Sequence, residues 1–303
     1  MYIAIDFDGT LTAKDTTELI AKVGYEDERR RTKLVPWELI VDSYLHDLEE
    51  FRDNWEKEPA QNGEDAGTRL LRYYKELEVV EKKSITRIEE AGVFRGITNV
   101  ESALDIAARS TEFRPFAIDV LEAITKCERF QVQIVSVSWS GQFIRSSIKR
   151  ESAAVEPEII SNELTVRSST STGSMTSLTP CAVRYRPRSD SQLYTSHDKL
   201  DFILKWTNGI HNWQSDGMYI GDSTGDLKPL ITARWGIMIG DSTSLITALQ
   251  KLGYTIVPYS QIASSTDEKV VYKLESWNQL LLYGPVKSIL ENCVLSFDIS
   301  EKN

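Results

Sequence analysis

The sequence predicts an α/β fold, in which short apolar strands end in polar turns and alternate with amphipathic helices. The apolar residues 1–5 form the first strand and run directly into an acidic turn. Residues 132–137 form a second strand, followed by a helix at 142–150, and the strand at 218–220 ends in a Gly-Asp turn. A chain of 303 residues is long enough to bury such a core together with one added module.

The first strand brings two carboxylates to one place. Side chains alternate along a strand, so Asp6 and Asp8 point the same way while Phe7 turns into the packing. Gly9 allows unusual backbone angles and the Thr10 hydroxyl bonds to nearby main-chain donors, which holds Asp8 close to Asp6. An ionised Asp6 can attack phosphorus to form an aspartyl-phosphate, while Asp8 protonates the leaving oxygen and later deprotonates the hydrolytic water. Because two close carboxylates repel, a divalent metal is the natural way to keep the nucleophile charged. An ordinary Asp-Gly turn is the structural alternative.

Three later elements supply complementary groups. Ser136 lies where the second strand meets a helix, whose free amides suit a phosphate oxygen, with a plain helix cap as the alternative. Lys199 falls in the first turn of a predicted helix, and a solvated surface lysine is its alternative. The acidic loop 221–226 follows the third strand, where a hard, oxygen-seeking cation would be held. Four elements that each supply a different part of one reaction favour phosphoryl transfer.

These elements resemble the motifs of the haloacid dehalogenase-like superfamily, and more narrowly of its phosphoserine-phosphatase-like branch. The resemblance implies a Rossmann-like three-layer core around a parallel sheet, with an inserted, mainly helical cap domain of the C1 type. That branch often has Gly-Gly after the serine of the second motif, where this chain has Val137 and Ser138. The matching segments are residues 6–10, Ser136, Lys199 and residues 221–226, and residues 136–140 are similar to uncharacterised fungal members.

The resemblance also implies a role for each residue. Asp8, two positions after the nucleophile, is typical of phosphatases and phosphomutases rather than of P-type ATPases or dehalogenases. Asp226 is expected either near the metal or orienting Lys199. The implied site comprises the catalytic residues Asp6 and Asp8, the phosphate-binding residues Ser136, Lys199, Gly9, Thr10 and Val137, the Mg²⁺ ligands Asp6, Asp8 (through its carbonyl) and Asp222, and the supporting residues Ser223 and Asp226.

The expected function is Mg²⁺-dependent hydrolysis of a small phosphorylated metabolite. A phosphotransferase or phosphomutase of the same fold and a non-catalytic binding or scaffold protein are the alternatives, although a scaffold has no need to keep the four motif residues together. The net charge of −10 argues against nucleic-acid or anionic-membrane partners, which require a basic face. The sequence leaves the oligomeric state open.

The predicted core comprises residues 1–13 and 113–303, and the helical residues 14–112 form the predicted cap domain. The clearest cap helix follows Pro36 and carries an aromatic stripe, interpreted as cap core, with a substrate contact for Trp37 or Trp55 as the alternative. A second helical stretch runs from about 68 to 90. Residues 167–191, rich in Ser and Thr, are predicted to form a mobile loop within the core.

Two residues are candidates for substrate specificity. Asp15 lies close enough to reach the mouth of the site, and a helix N-cap is its alternative role. Arg95, in a segment that resembles a recurring cap segment of the branch, is a candidate for an anionic substrate group, although an exposed arginine is the default. The C-terminal stretch 270–282 is predicted to dock on the core without a chemical role.

The sequence also suggests a cellular setting. Cys127, Cys181 and Cys293 are odd in number and widely separated, which favours reduced thiols. There is no long apolar run of membrane-spanning type and no signal peptide. A soluble, cytoplasmic protein is therefore expected, with nuclear access left open.

Overall fold

The structure is a computed structural model that describes residues 1–26, 32–95, 97, 99–167, 177–180, 192–264 and 269–300. Its centre is a seven-stranded sheet in which every pair of neighbouring strands is parallel, which confirms the predicted α/β fold. The strands of this sheet are β1 (Tyr2–Ile5), β2 (Gln131–Val135), β3 (Glu158–Ile160), β6 (Gly217–Gly221), β7 (Trp235–Ile239), β8 (Thr255–Pro258) and β9 (Val270–Leu274). A separate antiparallel pair is formed by β4 (Leu164–Arg167) and β5 (Ser177–Pro180).

The strand order places a reversal of direction at β1. The order is β3-β2-β1-β6-β7-β9-β8, so the chain moves outward from β1 through β2 to β3 and then returns to β6 on the other side of β1. Ile5 pairs with Ile134 of β2 and with Ile220 of β6, so these three strands end at nearly the same level. In open parallel sheets, ligands bind beyond the carboxyl ends of the strands at such a switch point.

Helices cover both faces of this sheet, and others lie between β1 and β2. Before β2, the helices are α1 (Thr17–Tyr25), α2 (Trp37–Lys57), α3 (Ala66–Glu76), α4 (Glu78–Ala91), α5 (Val100–Ala107) and α6 (Ala117–Lys126). After β2, they are α7 (Gly141–Glu151), α8 (Ser196–Trp206), α9 (Ile210–Asp216), α10 (Leu227–Thr232), α11 (Thr243–Lys251), α12 (Gln279–Leu282) and α13 (Gly284–Ser300).

The apolar side chains of the strands alternate between two cores, as the period of an extended chain requires. Ile3 and Ile5 of β1 face one core, which α6 and α7 cover, whereas Ala4 faces the other, which α8, α10 and α11 cover. Strand β6 follows the same rule, since Met218 and Ile220 join the first core and Tyr219 joins the second. The sheet is therefore the middle layer of three, as predicted.

Several predictions about individual elements need correction. The stretch from 68 to 90 is two helices rather than one, because the chain breaks at Leu77 between α3 and α4. The predicted loop 167–191 contains strand β5, and residues 168–176 and 181–191 lie outside the described residues. The prediction of reduced thiols is wrong for Cys127 and Cys293, which form a disulfide between the end of α6 and α13. Cys181 is not among the described residues.

None of the helices in the described ranges is both long and apolar enough to cross a membrane. The described residues between β1 and β2 form helices and turns apart from an isolated bridge between Thr12 and Phe113, in agreement with the helical character predicted there. The division into core and cap domains stays a prediction.

Gly236 offers a test of the packing between α10 and the sheet. A Cβ at this position of β7 would lie 2.2 Å from the Leu230 carbonyl oxygen of α10, so Gly236→Ala should push the helix away from the strand. We expect a loss of about 1–3 kcal/mol in the free energy of unfolding, measured by urea denaturation. Gly67→Ala is the matched control, because its nearest new neighbour is the end of the Leu252 side chain at 3.3 Å. A Gly236→Ala protein as stable as the control would contradict this packing.

Candidate active site

Asp6 lies at the centre of the candidate site, immediately after β1. Its backbone N–H donates to the Ile220 carbonyl at 2.9 Å, which extends the pairing with β6 by one residue. The side chain is 7% exposed, and its Oδ1 lies 2.8 Å from Lys199 Nζ. Burial, followed by the charge of Asp226, raises the pKa of Asp6 well above its usual value, and the charge of Lys199 opposes this rise. The carboxylate therefore depends on its cationic neighbour to stay ionised.

Lys199 is a buried bridge between two carboxylates. It lies on α8 with a side chain only 2% exposed, and its Nζ contacts Asp226 Oδ1 at 2.7 Å as well as Asp6. Although burial lowers the pKa of Lys199, the charges of Asp226 and Asp6 outweigh it, and the net shift is upward. The alternative of a solvated surface lysine is wrong for this residue.

Asp226 is fully buried, and the chain itself occupies both of its oxygens. Oδ1 accepts from Lys199 and from the Tyr219 hydroxyl at 2.7 Å, whereas Oδ2 accepts from the backbone N–H groups of Asp222 and Ser223 at 3.1 Å. This geometry favours the orientation of Lys199 over direct metal ligation. The same bonds fix the shape of the acidic loop that presents Asp222.

Asp8 is held by Thr16, at the start of the helical segment between β1 and β2. Its Oδ1 accepts from the Thr16 N–H at 2.7 Å and from the Thr16 hydroxyl at 2.5 Å. Burial, together with the negative charge of Asp15, raises the pKa of Asp8 to about 7, which the bonds from Thr16 oppose. Sequence reasoning missed Thr16, since its role depends on the chain turning back toward residue 8.

Gly9 and Thr10 form a close contact with Asp222. Gly9 has φ +70°, and a Cβ there would lie 2.5 Å from Asp222 Oδ2, so both its backbone and its size are required. The Thr10 hydroxyl donates to Asp222 Oδ1 at 3.1 Å, and the Gly9 N–H donates to the Thr12 hydroxyl at 3.0 Å. Burial and then the charge of Asp226 raise the pKa of Asp222 to about 6.

Two side chains that are distant in sequence donate hydrogen bonds to the backbone of this turn. Arg114 Nε donates to the Gly9 carbonyl at 2.8 Å, and its charge acts to lower the pKa of Asp222. Trp277, which is fully buried, donates from Nε1 to the Thr10 carbonyl at 3.1 Å. Residues 270–282 dock on the core as predicted, and Trp277 adds a hydrogen bond to the turn that follows Asp6.

Three buried serines, Ser136 and Ser138 after β2 and Ser196 on α8, have hydroxyl groups that could contact a ligand. Ser136 is buried, and its Oγ accepts from the Ser138 N–H at 3.1 Å, whereas the N-cap of α7 is Ser140. The capping alternative for Ser136 is therefore wrong, and its own proton can still be donated. Two further buried hydroxyls, those of Ser138 and Ser196, have no hydrogen-bond partner within the described ranges, and both residues line the cavity described below. Sequence reasoning did not identify either.

Three carboxylates come close enough together to hold a cation. One oxygen from each of Asp6, Asp222 and Asp226 lies within 4.8 Å of the others. Because the charge of Asp226 raises the pKa values of both Asp6 and Asp222 and oxygen is the ligand of hard cations, a divalent ion would relieve this repulsion. Asp6 and Asp222 fit the role better than Asp226, whose oxygens are engaged within the chain.

A cavity of about 1090 Å³ opens above these groups and extends to α2, α3 and α4. Asp6, Asp8, Gly9, Val137, Lys199 and Asp222 line it at the sheet end. Asp15 also lines it, and its Oδ1 accepts from the Thr17 N–H at 2.7 Å, although the N-cap of α1 is Thr16 rather than Asp15. A substrate contact for Asp15 stays a prediction. Trp37 lines the cavity, but Trp55 packs among Phe51, Tyr73 and Arg72 instead. Arg95 is exposed and does not line the cavity.

Known proteins resemble this chain over most of its length. No family model matches it. The bifunctional TH2 protein of Arabidopsis thaliana, described as mitochondrial, is 27% identical over 277 residues, which cover 85% of this chain and 42% of that protein. The chain thus spans less than half the length of this relative. Among solved structures, a phospho-aspartyl intermediate analogue of phosphoserine phosphatase is 13% identical with a TM-score of 0.48, covering 94% of this chain and 98% of that one. Cytosolic 5′-nucleotidase IIIB bound to cytidine is 11% identical with a TM-score of 0.47, covering 97% and 86%.

The two loop acids should respond differently when cation binding is measured by calorimetric titration with Mg²⁺ or Mn²⁺. Asp222→Asn removes a carboxylate that can face the ion, and we expect a loss of affinity of roughly tenfold or more. Asp226→Asn removes a group that holds Lys199 and shapes the loop but does not itself face the ion, so we expect a smaller loss of affinity than in Asp222→Asn even if the folded state is weakened. Equal losses of affinity in the two variants would place Asp226 among the ligands.

Proposed function

We propose that this protein is a haloacid dehalogenase-type phosphatase, which hydrolyses a small phosphomonoester through an aspartyl-phosphate and requires Mg²⁺. One observation carries the proposal. At the switch point of a parallel sheet, the buried carboxylate of Asp6 is held by a buried ammonium, and a second carboxylate with a raised pKa, Asp8, lines the same cavity. This pair supplies a nucleophile and an acid, which is the minimum that phosphoryl transfer to a side chain requires.

The phosphate group would be bound between α8 and the end of β2. Lys199 offers positive charge at the nucleophile, and Ser136 has a proton to donate. The unpartnered hydroxyls of Ser138 and Ser196 line the same cavity and can donate to further phosphoryl oxygens. Such fixed donors stabilise the charge that develops on the equatorial oxygens during transfer.

Asp6 would attack phosphorus and carry the phosphoryl group, while Lys199 keeps its carboxylate ionised against the cost of burial. Asp8 would give its proton to the leaving oxygen and later take a proton from the attacking water. A pKa of about 7 suits both steps near neutral pH, because the group can be protonated for the first and deprotonated for the second. Thr16 would keep this carboxyl in place between the two steps.

Mg²⁺ fits the donor set, with carboxylate oxygens from Asp6 and Asp222 and the backbone carbonyl of Asp8 as the proposed ligands. When bound, it would neutralise charge on the phosphate and screen the carboxylates from one another. Ser223 and Asp226 would support Asp222 through the bonds within their loop. The helices of residues 14–112 would act as the cap, since α2, α3 and α4 contribute walls to the cavity.

Phosphate release from a panel of small phosphomonoesters and p-nitrophenyl phosphate tests this function. We expect release with Mg²⁺, none with EDTA, and a fall of roughly a thousandfold or more in Asp6→Asn, because a neutral amide is a poor nucleophile. Asp241→Asn is the control, since Asp241 is an exposed acid in a second Gly-Asp turn and pairs with Lys273 away from the cavity.

Undiminished activity of a clean Asp6→Asn preparation would contradict the proposed mechanism through an aspartyl-phosphate at Asp6. A folded, Mg²⁺-binding protein that releases phosphate from none of the esters would favour a phosphotransferase that needs an acceptor, or a binding role.

Asp8→Asn separates the acid from the nucleophile. Without a proton donor, departure of a poor alkoxide leaving group should slow by about 10²- to 10⁴-fold, whereas p-nitrophenolate needs little protonation and should be much less affected. Steady-state kcat values for an alkyl phosphate and for p-nitrophenyl phosphate give the comparison. Equal losses on the two esters would argue against the acid role.

A further inference from the structure

The far wall of the cavity contains a hydrogen-bonded pair that the phosphoryl chemistry does not use. Glu81 of α4 and Tyr44 of α2 both line the cavity, and the Tyr44 hydroxyl donates to Glu81 Oε1 at 2.7 Å. Burial raises the pKa of Glu81, and the bond from Tyr44 opposes this rise. A carboxyl group thus faces the space where the leaving group of a substrate would lie.

Within the described residues, no cation of the chain neutralises Glu81. The neighbouring bases are engaged elsewhere, because Lys82 pairs with Glu78, and Lys83 and Arg87 pair with Asp47. An ionised carboxylate in a partly buried wall without a cationic partner is costly unless a ligand supplies one.

The cavity wall contains more acidic than basic side chains. Its two bases are Lys199, already held by Asp6 and Asp226, and Arg52, which is exposed on α2. Beyond Asp6, Asp8 and Asp222, the acids of the wall are Asp15, Glu18, which pairs with Lys22, and Glu81. Neither base of the wall forms an ion pair with Glu81 in the described residues, so this part of the cavity can accept a positive charge from a ligand.

Aromatic rings surround the same space. Tyr44 belongs to the pair itself, and Trp37 of α2 packs edge-on against Trp139 from the core with centroids 6.3 Å apart. The faces of such rings attract cations, most strongly where water is displaced. The rings that line the cavity are those of Trp37, Tyr44, Tyr73, Tyr74, Trp139 and Tyr194, and the Tyr194 ring already has Lys82 Nζ 5.3 Å from its centroid.

We propose that Glu81, held by Tyr44, forms a subsite for a positively charged nitrogen on the leaving alcohol, so that the preferred substrates are phosphate esters of cationic alcohols. This inference rests on the proposed function, since it takes the phosphate end of the cavity as given. Glu81 supplies the counter-charge, and the neighbouring rings supply the apolar walls that a weakly hydrated cation favours. The phosphate and the cation would then occupy opposite ends of one cavity.

Choline phosphate and 3,3-dimethylbutyl phosphate test the subsite, because they have nearly the same shape and differ in a charged nitrogen against a neutral carbon. We expect wild-type protein to prefer the cationic ester by on the order of tenfold in kcat/KM. In Glu81→Gln that ratio should fall to within about threefold of unity, while kcat/KM for the neutral ester stays near the wild-type value and shows that the site is intact. Glu90→Gln, exposed on the same helix and outside the cavity, should keep the wild-type ratio.

Calorimetric titration of both esters into Asp6→Asn separates this inference from the proposed function, because it needs no turnover. Tighter binding of choline phosphate than of the neutral ester in Asp6→Asn, lost in Asp6→Asn/Glu81→Gln, would support the subsite. If the wild type nevertheless hydrolyses neither ester, that result would contradict only the proposed phosphatase activity. Equal affinities for the two esters in Asp6→Asn, or a preference that Glu81→Gln leaves unchanged, would overturn the subsite whatever the activity.

Discussion

The buried ammonium of Lys199 between Asp6 and Asp226 is the interaction on which the rest of the site depends. It joins the end of β1, the first turn of α8 and the loop after β6, which are far apart in sequence. Removing a single partner would leave the others charged and out of contact with water, a far larger penalty than the loss of an exposed ion pair. Lys199 and Asp6 also line the cavity, so the triad is part of the candidate site as well as of the packing.

Much of the site was predictable because it follows from local rules. The alternation of side chains along a strand and the meeting of parallel strand ends at one edge were enough to bring Asp6 and Asp222 together, whereas Ser136 is buried beside Ser138 and does not line the cavity. Thr16, Arg114 and Trp277 were not predictable. Each acts by donating a hydrogen bond to a group that only the folded chain brings near, and none has a residue type or spacing that marks such a role in advance.

The helices between β1 and β2 show what a sequence pattern cannot predict. An aromatic stripe identified α2 as amphipathic, yet it could not separate Trp37, which lines the cavity, from Trp55, which packs against Phe51 and Tyr73. Which side of a helix faces a cavity depends on how its neighbours pack, and here that packing includes the break at Leu77 between α3 and α4. The Tyr44–Glu81 bond joins α2 to α4, so these helices rather than the sheet shape the far wall of the cavity.

Trp277 is separated from its hydrogen-bond acceptor, Thr10, by 267 residues. During synthesis, a nascent chain therefore contains Asp6, Asp8, Lys199 and Asp222 well before it contains Trp277, which donates the hydrogen bond to the turn at Thr10. Strand β9, which precedes Trp277, must also add to the sheet before the indole can reach that turn. Completion of the turn is thus tied to completion of the sheet, and a chain that stops before β9 carries Asp6, Asp8, Lys199 and Asp222 without the contact that holds the turn in place.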